Sequence, residues 1–185
     1  MLSVLAVILL ALSSLALFLV YLIRLVDLVQ VRDAPFIPLD KEAIRSLLSK
    51  LPDLKDKTIY ELGSGDGRVA LEITQRLRPR RCTAIENGRW PMLIAHWKRL
   101  RSGSPDGLEF IKNDIREVNL GPADVVFAYL MDDFIVSLKP KLDKELKPGT
   151  IFISCQFPLT GKRPYKTVDI EKGPIIANRL YFYRF

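Results

Sequence analysis

The sequence predicts an α/β domain, a parallel sheet with helices on both faces, preceded by one transmembrane helix. Three observations carry that expectation. Short apolar runs alternate with helical patterns from residue 57 to residue 156, the pattern of strands joined by crossover helices. The stretch Glu61-Leu62-Gly63-Ser64-Gly65-Asp66-Gly67 stands between the apolar run Thr58-Ile59-Tyr60 and the helical pattern Arg68-Val69-Ala70-Leu71-Glu72-Ile73. Val4 to Ile23 is twenty consecutive residues without a charge.

That N-terminal stretch has the length of a helix crossing a hydrocarbon core of about 30 Å. A secretory signal fits it less well. There is no basic n-region, the apolar run is longer than an h-region, and the bulky Tyr21-Leu22-Ile23-Arg24 offers no small-residue cleavage site. Nothing basic precedes the span, while Arg24, Arg32, Lys41 and Arg45 follow it. The positive-inside rule then places the C-terminal domain on the cytoplasmic side. All charged residues follow the span, so the domain carries the whole net charge of +7 and is drawn toward an anionic leaflet. Lys and Arg are scattered apart from Arg76-Leu77-Arg78-Pro79-Arg80-Arg81, which argues against nucleic acid as the partner. Cys82 and Cys155 are too few and too far apart for a disulfide framework or zinc site. They read as buried reduced thiols.

The expected organisation is an anchor over 1–23, a juxtamembrane segment over 24–38 and one domain over 39–185. Ala34-Pro35-Phe36-Ile37-Pro38 is extended, because a proline disfavours helix in the residue before it. Asp40 caps a helix over 41–50 that turns Ile44, Leu47 and Leu48 to one face, and Pro52 ends it. Strand 57–62 leads to helix 67–77, and strand 82–86 to helix 90–101. Strand 108–112 follows a Gly-Ser-Pro-Asp-Gly turn region. Strand 124–130 leads to a helix over about 132–146, irregular near Pro140. Strand 150–156 follows Pro148-Gly149, and two further strands lie near 166–171 and 178–185.

In an open α/β sheet a ligand binds at the carboxyl ends of the strands, where the strand order reverses. Glycines let a turn there come close to a ligand, because they carry no Cβ. The glycines at 63, 65 and 67 do not give the dinucleotide pattern G-x-G-x-x-G, since Arg68 stands where its third glycine belongs. The run reads E-x-G-x-G-x-G instead. Glu61, Gly63, Ser64, Gly65, Asp66 and Gly67 are therefore candidates for holding a nucleotide cofactor, with Glu61 fixing the loop or meeting a cationic group. Glu86, ending the second strand, can accept both ribose hydroxyl hydrogen bonds. Trp90 can pack near an adenine edge. Asn113 and Asp114 end the third strand, and Asp114 can accept from an adenine amino group while Ile115 supplies an apolar wall. After the fourth strand come Tyr129-Leu130-Met131-Asp132-Asp133, where Tyr129 and Asp132 are candidates for orienting an acceptor. No Ser/His/Asp triad and no metal-ligand cluster is evident, and the single histidine, His96, lies in a helical stretch.

The E-x-G-x-G-x-G run resembles the first motif of Rossmann-like S-adenosylmethionine (SAM) methyltransferases. Pro35-Phe36-Ile37-Pro38, Tyr60 to Arg68, Ala84-Ile85-Glu86 with Trp90, Lys147-Pro148-Gly149 and Cys155-Gln156-Phe157-Pro158 narrow the likeness. Together they are similar to the membrane-anchored seven-strand lysine methyltransferases related to the mitochondrial enzymes for ATP synthase c-subunit and adenine nucleotide translocase. The resemblance implies a seven-strand sheet closed by an antiparallel hairpin, SAM as cofactor, and a membrane-associated protein as substrate. It also implies that Pro35, Phe36 and Pro38 cover the cofactor and shape the lysine entrance. Leu39 departs from the Thr or Ser usual after the second proline, and Tyr129–Asp132 from a Gly-Val-Pro-type segment; both bear on the acceptor. The (Asn/Asp)-Pro-Pro-(Tyr/Phe) motif of many adenine and glutamine N-methyltransferases is absent. A membrane lipid, quinone or small amine as acceptor, and a tethered SAM-binding scaffold without activity, are the competing readings.

Overall fold

A computed structural model describes residues 3–30, 38–170 and 178–185. Helix α1 (Val4–Gln30) comes first, and its apolar part, Val4–Ile23, lies wholly outside the core. The helix continues past Ile23, so the first half of the expected juxtamembrane segment is helical. Pro35 and Phe36 lie outside the described residues. Helix α2 (Lys41–Lys50) begins where the sequence places it: the Asp40 carboxylate accepts from the Ala43 amide at 2.7 Å and satisfies one of the open donors of the first turn.

The domain is built on one seven-stranded sheet. In chain order come β1 (Thr58–Leu62), α3 (Arg68–Leu77), β2 (Arg81–Glu86), α4 (Arg89–Arg101) and β3 (Leu108–Lys112). Then follow β4 (Val125–Ala128), α5 (Asp132–Glu145), β5 (Ile151–Cys155), β6 (Lys166–Asp169) and β7 (Arg179–Arg184). The spatial order is β3-β2-β1-β4-β5-β7-β6, with β1 to β5 parallel and β7 antiparallel to both β5 and β6. The expected closing hairpin is thus present. No α-helix separates β3 from β4 or β5 from β6 among the described residues.

Alternation along the strands divides the core in two. Ile59, Ala84 and Phe127 face α2 and α3, where Ile44, Leu47, Val69 and Ile73 pack. Leu62, Ile85, Val126 and Phe152 face α5, which buries Ile135, Leu138 and Leu142. Each of those three side chains contributes about 1.5–3 kcal/mol by leaving water. Pro140 does not break α5. It lies on the exposed side of the helix, where water can solvate the Val136 carbonyl that a proline leaves without its amide partner.

Candidate functional site

Strand order reverses between β1 and β4, and the loop after β1 sits at that switch point. Its backbone is fixed from below: the Gly63 and Ser64 amides both donate to the Ile85 carbonyl at 2.9 Å, and the Gly67 amide to the Ser64 carbonyl at 2.9 Å. Two of its glycines are required by geometry. Gly63 has φ +72°, and a Cβ there would lie 2.6 Å from Leu130 Cδ2. Gly67 also has φ +72°, and a Cβ would stand 2.5 Å from the Phe110 ring. Both positions favour glycine by conformation and lack room for a side chain.

Glu86 closes the arrangement. Its carboxylate accepts from the Gly65 amide at 2.9 Å and from the Gly88 amide at 2.7 Å, clamping the loop after β1 to the loop after β2. Each oxygen uses one of its acceptor positions in this way and retains another. Asp66 is turned into the fold. Its nearly buried carboxylate pairs with Arg68 at 2.5 Å and with Lys98, while Arg68 Nη1 donates to the Leu39 carbonyl at 2.8 Å. Burial works against ionisation of Asp66, but the hydrogen bonds from Arg68 and Lys98 outweigh it and hold the group below the usual carboxylate range. Asp66 thereby ties the loop to α4 and to the chain entering α2.

Glu61 differs from both. It is 4% exposed, and its Oε2 has no hydrogen-bond partner. Desolvation pushes its pKa up to about 8; the Ala70 amide opposes the shift, and Asp66 and Glu86 add to it. The Ser64 hydroxyl is likewise buried without a partner. An unmet buried acceptor is costly. A cationic ammonium beside Glu61 would satisfy it and restore its charge, so the loop fits the aminoacyl end of SAM.

At the end of β3, the Asn113 amide donates to the Glu86 carbonyl at 3.2 Å and Asn113 Oδ1 accepts from the Asp114 amide at 2.8 Å. The Asp114 carboxylate is paired with Arg116 at 2.9 Å, and that hydrogen bond is the main cause of its lowered pKa. Ile115 is buried and reaches toward the Gly63 position. Trp90 is partly buried in the first turn of α4. Glu61, Gly63, Gly65 and Glu86 are thus brought together, with Asn113 joined to them through the Glu86 carbonyl.

The ends of β4 and β5 are less closely knit. Tyr129 is half-buried on the α2–α3 side, where burial and the neighbouring Cys155 push its phenol up. Asp132 is exposed in the first turn of α5. No hydrogen bond joins them, so these two candidates are not brought into one cluster. Pro38 is exposed. Sequence reasoning missed Leu130, which closes over Gly63, and the pairing of Asp66 with Lys98, 32 residues apart. It also missed the backbone of Gln156, held at φ +75° at the end of β5, where its side chain accepts from the Asn178 amide at 3.0 Å. An alternating pattern signals none of these.

Known proteins resemble this chain. The model of the ANTKMT methyltransferase domain matches residues 61–166, from the glutamate of the loop to the start of β6. A protein-lysine N-methyltransferase of Saccharolobus islandicus (strain REY15A) is 29% identical over 143 residues, covering 77% of this chain and 89% of that protein. An ATP synthase c-subunit lysine N-methyltransferase of Caenorhabditis elegans is 25% identical over 138 residues, covering 71% of each. The crystal structure of an RNA methyltransferase from Salinibacter ruber in complex with S-adenosyl-L-homocysteine superposes with a TM-score of 0.71 at 28% identity. That match covers 80% of this chain and 93% of the other.

Proposed function

The chain belongs to the ANTKMT methyltransferase domain family and is a SAM-dependent methyltransferase, and from that premise we propose that it methylates lysine side chains of a membrane-associated protein. The observation that carries the site is the glycine loop with one buried, unpartnered carboxyl oxygen, Glu61 Oε2. In this reading Glu61 receives the ammonium group of SAM. The backbone of Gly63 to Gly65 lies along its methionine part, Glu86 meets the ribose, and Asn113, Asp114, Ile115 and Trp90 flank the adenine. Bound there, SAM supplies an electrophilic sulfonium methyl group.

The acceptor side has a different task. A free lysine has a pKa near 10.4, so on the order of one in a few thousand is neutral at pH 7. Tyr129 and Leu130 offer an apolar entrance that disfavours the charged form by desolvation. Tyr129 and Asp132 orient the amine, and alignment then supplies much of the rate without a strong base. Pro35, Phe36 and Pro38 line the entrance in this reading. The names of the archaeal and nematode relatives support lysine as acceptor. The basic side chains that follow the apolar span of α1 support a membrane anchor with the domain on the cytoplasmic side.

The test is transfer of labelled methyl from SAM by the full-length protein to membranes prepared from cells that lack it. We expect label in a membrane protein, on a lysine identified by mass spectrometry. Label confined to extracted lipid or quinone, or to RNA, overturns the lysine assignment. SAM binding with no label anywhere points to the scaffold.

A further inference from the structure

Outside α1, the exposed large apolar side chains among the described residues are Leu93, Trp97, Leu100, Met131, Val136 and Tyr165. Three of the six lie on one helix, α4, at 60%, 55% and 73% exposure. Their spacing of four and three residues places Leu93, Trp97 and Leu100 on one face. Met92 and Ala95 are buried on the opposite face. A helix that buries one face in the domain and presents a second apolar stripe outward is unpartnered along that stripe.

The flanks of the stripe say what covers it. Helical spacing puts Arg89 along one edge and Arg101 along the other, both exposed, and α4 contains no Asp or Glu. The Arg101 guanidinium lies 4.9 Å from the centre of the Trp97 ring, covering an aromatic face while its charged end stays outward. An apolar stripe with a tryptophan and basic edges is the composition of a helix lying in the headgroup region of an anionic bilayer. Position agrees with composition. Helix α1 lies against α4, and the part of α1 beyond Ile23 adds about 10 Å at 1.5 Å per residue. The exposed face of α4 is therefore carried close to the surface that the α1 span would enter.

We propose that the Leu93–Trp97–Leu100 face of α4 docks on the membrane surface as a second, interfacial contact, holding the carboxyl ends of the strands beside the bilayer. This rests on the reading of α1 as a membrane anchor. It goes beyond that reading by assigning an orientation. The interfacial helix starts just after Glu86, so the cofactor loop sits at one end of the docked element, and an acceptor in or on the same leaflet is within reach.

The test uses the full-length protein carrying Trp90→Phe, which leaves Trp97 as the single tryptophan. It is reconstituted into phosphatidylcholine vesicles with and without phosphatidylglycerol. Integration is read by resistance to alkaline carbonate, and contact by quenching from lipids brominated near the headgroup. We expect carbonate-resistant protein whose Trp97 emission is blue-shifted and quenched, more strongly with phosphatidylglycerol. Adding Leu93→Glu with Leu100→Glu at these exposed positions should abolish the quenching and leave carbonate resistance intact. Carbonate-resistant protein whose Trp97 stays unquenched and open to acrylamide overturns the docking face while the anchor stands. Trp97 shielded only at high protein concentration, without lipid quenching, assigns the face to a second copy and also overturns it. Extraction by carbonate removes the anchor and the docking face together.

Discussion

The ends of β1 and β2 and the ends of β4 and β5, the two halves of the site proposed above, are held by different physics. On the first side, backbone amides carry the structure: Gly63, Ser64 and Gly65 are anchored by the Ile85 carbonyl and the Glu86 carboxylate. The Asp66 pairs then lock the loop to neighbouring elements. On the second side, Tyr129 is held by packing and Asp132 stands in solvent. A cofactor common to many enzymes can be met by backbone groups that tolerate sequence change around them. An acceptor particular to one enzyme is met by side chains. The difference teaches that the first half is fixed by hydrogen bonds and ion pairs within the chain, while Tyr129 and Asp132 have no such network around them among the described residues.

Substitutions can break that contrast. The largest effect is expected from Gly63→Arg, because φ +72° strains any residue with a Cβ, and that Cβ would stand 2.6 Å from Leu130 Cδ2, which must shift. Calorimetry should detect no SAM binding by a protein that still folds, and unchanged affinity would sink the cofactor assignment. Glu86→Gln comes next. Its amide keeps one acceptor oxygen and loses the other, so one amide-to-carboxylate hydrogen bond of about 1.5–3 kcal/mol is lost and SAM affinity should fall roughly 10- to 100-fold. An affinity within a factor of two of the parent would show that the clamp is not needed for binding. Tyr129→Phe is expected to be milder and to act on the other half. SAM affinity should hold while kcat falls about tenfold, the worth of one orienting hydrogen bond. Loss of SAM affinity in Tyr129→Phe would erase the division between the halves.

The two halves also differ in how far they could be read from sequence. The strands, the Asp40 cap and the glycine loop are local, and each was legible from period, capping chemistry or spacing. The meeting of Glu61, Gly65 and Glu86 was legible too, because the parallel order of β1 and β2 brings adjacent strand ends together. What Asp66 does was not, since its partner Lys98 comes from a helix whose rotation only packing decides. Leu130 closing over Gly63 depends on β4 lying beside β1, a pairing of distant segments. The left-handed Gln156 carries no signal, because glutamine has no preference for that conformation. The antiparallel hairpin of β6 and β7 followed from family resemblance rather than periodicity.

Glu61 joins the comparison to pH. A carboxyl whose pKa stands near 8 in the fold, against 4.5 unperturbed, binds more protons folded than unfolded between those values. It therefore costs stability progressively as pH rises through that window. Without SAM, Glu61→Gln should be more stable than the parent above pH 8, with the advantage fading toward pH 4.5. A bound ammonium group would reverse the shift and expel the proton. The decisive measurement is SAM titration by calorimetry at pH 7 in buffers of different ionisation enthalpy, for the parent and Glu61→Gln. We expect release of most of a proton per SAM by the parent, because burial raises the Glu61 pKa to about 8 without SAM, and no such release by Glu61→Gln. Equal proton release by the two proteins would contradict the placement of the cofactor against Glu61.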